Sequence, residues 1–130
     1  MQIELTDDQL TENASLVIDG TVSTSEIVTL CDDPFLPAGW EDDGETQRMV
    51  DAGFALAKWR IHVHAVVKGR SVPEMWAVRG VGGAGVWIEG QDDGRALFNA
   101  VIAGRQYRMW LEEDAWFGHN HWILLRARPI

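Results

Sequence analysis

The segment Trp59-Arg60-Ile61-His62-Val63-His64-Ala65-Val66-Val67 alternates between apolar and polar side chains. In a strand, successive side chains point to opposite faces, so Trp59, Ile61, Val63, Ala65 and Val67 share one face and Arg60, His62 and His64 the other. Such a segment commits the chain to a sheet with one buried face, and its β-branched residues favour a strand over a continuing helix. Further strands are expected at 26–30, 75–79, 85–89, 106–111 and 121–128. Residues 16–22 read as a hairpin turning at Asp19-Gly20. The run Gly80-Val81-Gly82-Gly83-Ala84-Gly85 fits neither a dinucleotide fingerprint nor a phosphate loop and reads as a flexible hairpin connection.

Helical signals are fewer. Thr6-Asp7-Asp8-Gln9 is a capping box, with Leu5 and Leu10 placed as a hydrophobic staple, so a short helix is expected to begin there. Met49, Val50, Ala52, Phe54, Ala57 and Lys58 recur near helical spacing over 45–58. Residues 92–104 offer acids, an apolar stripe and a final Gly104, the pattern of a capped helix. The chain is therefore expected to be α+β, a single domain over residues 1–130. It should hold a mainly antiparallel sheet of about six or seven strands with two helices. Arg126 and Arg128 share a face of the last strand, which suits a solvated or edge position.

No stretch reaches the ~20 apolar residues of a membrane helix, so no membrane partner is expected. The acidic run Met1–Asp8 lacks the apolar core of a secretory signal, which makes the cytoplasm the expected location. A lone cysteine, Cys31, permits no internal disulfide. Asp32 and Asp33 beside it disfavour a thiolate, leaving it as a small buried residue at a strand end.

Charge separates along the chain. Residues 1–58 hold thirteen Asp and Glu against Arg48 and Lys58, a net of −11, while 59–130 hold seven acids against nine Lys and Arg, a net of +2. Their sum is the formal −9 of the whole chain. In the densest run, six carboxylates (Asp32, Asp33, Glu41, Asp42, Asp43 and Glu45) flank an apolar, proline-bearing centre that holds Phe35 and Trp40. Read plainly, this is a solvated loop that maintains solubility. Read functionally, it is a docking surface for a basic protein, with carboxylates accelerating encounter and aromatics supplying contact area. Direct nucleic-acid binding is disfavoured because the acidic face repels phosphate. The carboxylate spacing also departs from that of a calcium loop. In composition and charge, though not in motif, the chain resembles toxin-neutralising immunity proteins and phage-encoded inhibitors of host defence. Partner binding of this inhibitory kind is the leading expectation.

All four histidines fall in two His-x-His pairs, His62/His64 and His119/His121. Residues two apart on a strand lie about 6.6 Å apart on one side, a span that two imidazoles can close on one metal. If the two strands were neighbours, the four would enclose a single Zn²⁺ or Fe²⁺. Three plus a water would make a hydrolytic site, with Glu112, Glu113 or Asp114 adding a ligand or a general base. Against this stands the simpler account that His62 and His64 occupy a polar strand face and His119 and His121 an aromatic turn. No zincin motif or Gly-x-Ser-x-Gly elbow is present, and no catalytic residue is assigned. A metal-dependent hydrolase is thus the second expectation, and a structural subunit of a virion or larger complex the third.

Overall fold

A computed structural model describes residues 5–29, 55–70, 73–81, 94–116 and 119–130. In chain order these form α1 (Asp7–Asn13), β1 (Leu16–Thr29), β2 (Ala55–Lys68), β3 (Glu74–Val81), α2 (Arg95–Ala100), β4 (Gln106–Trp116) and β5 (His119–Pro129). The strands close into a barrel in the order β1-β2-β3-β5-β4. Four of its junctions are antiparallel. The fifth, β3 to β5, is parallel and registers Ala77 with Trp122 and Val78 with Ile123. The chain is therefore α+β and mostly sheet, with five strands among the described residues where six or seven were expected.

One miscount comes from Asp19-Gly20, which does not turn. β1 runs through it for 14 residues, pairing with β2 on one side and, over Leu16 to Thr21, with β4 on the other. Glycine is needed there for closeness of approach. A Cβ at Gly20 would lie 2.7 Å from the His62 carbonyl oxygen and 2.8 Å from Ile61 Cγ2. The expected strand at 85–89, most of the glycine run, Cys31 and residues 45–54 of the expected helix lie outside the described residues. The end of that helix, Ala55 to Lys58, is strand instead, because pairing with both β1 and β3 overrides local helical spacing. The helix expected over 92–104 shortens to α2, whose N-cap is Gly94 with no side-chain cap.

The barrel interior follows the alternation. Trp59, Ile61 and Ala57 of β2 meet Leu16, Ile18 and Val22 of β1, Tyr107, Met109 and Leu111 of β4, and Leu124 of β5, all buried. Alternation outruns this core: Ala65 is exposed and Val67 is 46% exposed. α2 lies against the core through Leu97 and Phe98, with the Phe98 ring 6.1 Å from that of Trp59. The Trp59 indole N–H donates to the Val101 carbonyl at 3.1 Å just beyond the helix. The Tyr107 hydroxyl accepts from Ile102 N–H and donates to the Ala100 carbonyl, which fixes the same turn. A buried indole thus satisfies its obligatory donor while contributing apolar area.

α1 starts as its sequence dictates. Gln9 N–H donates to Thr6 Oγ1 and Thr6 N–H to Gln9 Oε1, closing the capping box. The helix fastens to the outside of the barrel through Leu10 and Ala14 against Val17 and Trp110. Lys68 Nζ donates to the Thr11 and Glu12 carbonyls at 2.9 Å each, satisfying acceptors that a helix end leaves open. Arg126 and Arg128 hold the other end of the helix by gripping Asp7. β3 pairs with β5 only at Trp122 and Ile123, so among the described residues Arg126 and Arg128 are paired with β4 alone, and Arg128 is exposed, in keeping with the solvated position expected.

Candidate functional site

Three strand ends define the most distinctive region. Thr29 pairs with Ala55 and Ala55 with Val81, so the last residue of β1, the first of β2 and the last of β3 form one row. Residues 30–54 join the first two, and residues 82–93 follow the third. Both segments therefore attach at the same barrel end. The described residues carry ten Lys and Arg against nine Asp and Glu, a net of +1, and the remaining positions carry Arg48 alone against eleven acids, a net of −10. The described residues are nearly neutral, and ten of those eleven acids, with Arg48, fall in 30–54 and 82–93, leaving only Glu4 elsewhere. The candidate partner residues Asp32, Asp33, Phe35, Trp40, Glu41, Asp42, Asp43 and Glu45 all lie outside the described residues.

The outer surface next to this end mixes cations with one indole. Lys58, only 3% exposed, places Nζ 4.6 Å from the centroid of the Trp76 ring, a cation–π distance. Arg60, opposite Trp76 in register, donates to Glu74 at 2.7 Å. Small barrels of five strands use their β2–β3 face for oligonucleotides or oligosaccharides in other proteins, but a fold does not assign a function. Here Arg60 is engaged with a carboxylate and Lys58 is buried against an indole, so neither stands ready to meet a phosphate.

The histidine pairs occupy β2 and β5, and β3 lies between those strands. The neighbouring-strand condition for a shared four-histidine site is not met. His62 and His64 share an exposed face with ring centroids 5.1 Å apart, edge to face. His64 Nε2 lies 2.6 Å from Thr21 Oγ1. His121 is 6% exposed and sits opposite Asp114 of β4, and His119 opens β5 opposite Trp116. Among the described residues, no three His, Cys, Asp or Glu side chains are grouped to hold a metal ion. No described helix is long and apolar enough to cross a membrane.

A cleft of about 470 Å³ separates α1 from the barrel, lined in part by Asp7, Asp19, Arg108, Trp110 and Arg128. Its charges are matched internally: Arg108 grips Asp19 through two bonds of 2.8 and 2.9 Å, and Arg128 grips Asp7. Hydrogen bonds from Arg128 hold the Asp7 carboxyl below its ordinary 3.8, with Arg126 assisting. The Arg108 bond does the same for Asp19. Carboxyls depressed in the folded state stabilise it fully above the ordinary value and lose that contribution as pH falls through their folded values. Stability should therefore decline below about pH 3.8, and Asp7→Asn with Asp19→Asn should flatten that acid limb. Urea midpoints at pH 2 to 6 would check this, and an unchanged acid limb would remove the clasp from the account. The cleft reads as the seam of a docked helix.

The continuity of β1 through Asp19-Gly20, and with it the pairing of Ser25 to Thr29 with β2, has no local mark in the sequence. Compared with known protein families and with curated proteins, the sequence matches none.

Proposed function

We propose that this protein is a binding module that captures, and by capture inhibits, a basic protein partner. The observation that supports it best is the separation of charge by place: a near-neutral barrel with its acidic connections attached at one end. Loops on a rigid scaffold are the usual carriers of recognition. Carboxylates clustered along the sequence raise the encounter rate with a cationic protein by long-range attraction. Phe35 and Trp40, set among those carboxylates in the sequence, supply the apolar anchors that charge alone lacks. In this reading Asp32, Asp33, Glu41, Asp42, Asp43 and Glu45 meet Lys and Arg of the partner, and inhibition follows from covering that basic surface.

The test is affinity capture with identification of the bound protein, repeated with Asp42→Lys/Asp43→Lys. The variant should keep the circular dichroism and melting of the parent while capture falls at least about tenfold, the equivalent of about 1.4 kcal/mol. Capture should also weaken steeply with salt, because exposed charges are screened beyond about 8–10 Å at physiological ionic strength. Undiminished capture by a folded double variant would remove this surface from the proposal. The metal-dependent reading has no comparable support, since the two histidine pairs lie on β2 and β5, with β3 between them.

A further inference from the structure

His64 has no register partner on β1. Val63 lies opposite Gly20 and Ala65 opposite Asp19, so the register shifts and His64 is the extra residue. A residue inserted in this way bends its strand and re-aims its side chain. Gly20 permits the close approach, since a Cβ there would lie 2.7 Å from the His62 carbonyl oxygen. Thr21, opposite His62 in register, meets the re-aimed ring: its Oγ1 lies 2.6 Å from His64 Nε2. The result is two exposed imidazoles with centroids 5.1 Å apart and planes 73° apart.

That spacing suits a shared cation. With each ring nitrogen about 2.0–2.1 Å from a metal, two imidazoles bound side by side hold their centroids roughly 4.5–5.2 Å apart. A hydrogen-bond partner on the far nitrogen orients a ligating ring and fixes its tautomer. With Nε2–H donating to the Thr21 hydroxyl, Nδ1 of His64 carries the lone pair that a metal needs. Glu74, opposite His62 on β3, accepts from Arg60 at 2.7 Å. That pairing offsets the Arg60 charge two residues from His62 and leaves the two imidazoles as the protein ligands.

We infer that His62 and His64 form a two-imidazole site for one borderline first-row cation, Cu²⁺, Ni²⁺ or Zn²⁺, with Thr21 as its positioning residue. Imidazole suits these ions, and affinity for a given nitrogen site rises to Cu²⁺ and falls again at Zn²⁺. Water completes the coordination, as both rings are exposed. Mg²⁺ and Ca²⁺ seek oxygen ligands and have no such preference for imidazole. The site is confined to β1 and β2 and asks nothing of His119 or His121. It is also independent of the capture of a basic partner.

The untagged full chain is titrated calorimetrically with Cu²⁺ and, separately, with Zn²⁺, and Cu²⁺ broadening of its amide resonances locates the ion. One cation per chain should bind, Cu²⁺ more tightly than Zn²⁺, and the amides of Thr21, His62 and His64 should broaden first. His62→Gln and His64→Gln should each melt as the parent does and bind at least about tenfold more weakly. Thr21→Val keeps both rings and should lose about tenfold, the lower end for an orienting partner. Thr21→Ser should restore the parent affinity, and His119→Gln should leave binding unchanged. Absence of saturable binding overturns the site and reduces the ring contact to packing alone. Binding retained in folded His62→Gln/His64→Gln, or lost in His119→Gln, overturns it as well. Broadening centred elsewhere in the parent does so without any variant, and parent-like affinity in Thr21→Val overturns the positioning role.

Discussion

Trp59→Ala should destabilise the protein by about 3–5 kcal/mol, the cost of emptying a buried aromatic site. That is a large share of the roughly 5–15 kcal/mol that holds a typical domain together. Trp59 is fully buried, donates to Val101 and packs beside Phe98. Its removal would strip the inner wall of β2 and release the α2 turn that closes one part of the barrel. In urea the variant should unfold at a much lower midpoint and with a shallower slope if α2 detaches first. Trp59→Phe separates the two contributions, because it retains most of the apolar contact while leaving the Val101 carbonyl without its indole donor. Its loss should be roughly 1–3 kcal/mol, the cost of an unsatisfied buried acceptor. A drop below about 1 kcal/mol for alanine would mean that the core is organised around other residues.

Gly20→Ala should be a strongly damaging single methyl addition within the sheet. The added Cβ meets a backbone oxygen, His62 O, at 2.7 Å and a buried methyl, Ile61 Cγ2, at 2.8 Å. A flexible side chain can move aside, but a strand backbone locked in register cannot do so without disturbing its neighbours. Overpacking of this kind costs typically about 1–3 kcal/mol. The register of β1 against β2 already shifts between Asp19 and Gly20, so the strands would part where they are least regular. Thermal denaturation checks the size of the loss, and amide exchange along 18–22 and 61–66 checks its place. A neutral Gly20→Ala would show that the spacing of β1 and β2 is set elsewhere.

The two variants also mark what could be read from the sequence. Trp59, Ile61 and Val63 were legible as a core stripe because alternation records burial directly. The start of α1 was legible because Thr6 and Gln9 carry the whole capping box within four residues. Asp19-Gly20 misled because a glycine admitted for close approach and a glycine admitted for a turn leave the same mark. The difference lies in β2, more than forty residues downstream. The stretch ending at Lys58 misled for a related reason: helical spacing is local, whereas the pairing that overrules it joins β2 to two other strands.

For the candidate site the division is similar. Charge segregation between the two parts of the chain was plain from residue counts. That residues 30–54 and 82–93 attach at one barrel end depends on the register of Thr29, Ala55 and Val81. Likewise the spacing of His62 from His64 followed from strand geometry, but their relation to His119 and His121 depended on strand order. Nothing local announces that β3 inserts between the two strands.

The parallel junction of β3 with β5 is registered over Ala77, Val78, Trp122 and Ile123 alone. That short suture turns a ribbon into a cylinder. Unstitched, the same strands would lie as an open sheet with β3 at one rim and β5 at the other, each able to recruit any passing chain. Those four residues therefore keep two strand rims covered, so substitutions there should affect solubility as much as folding.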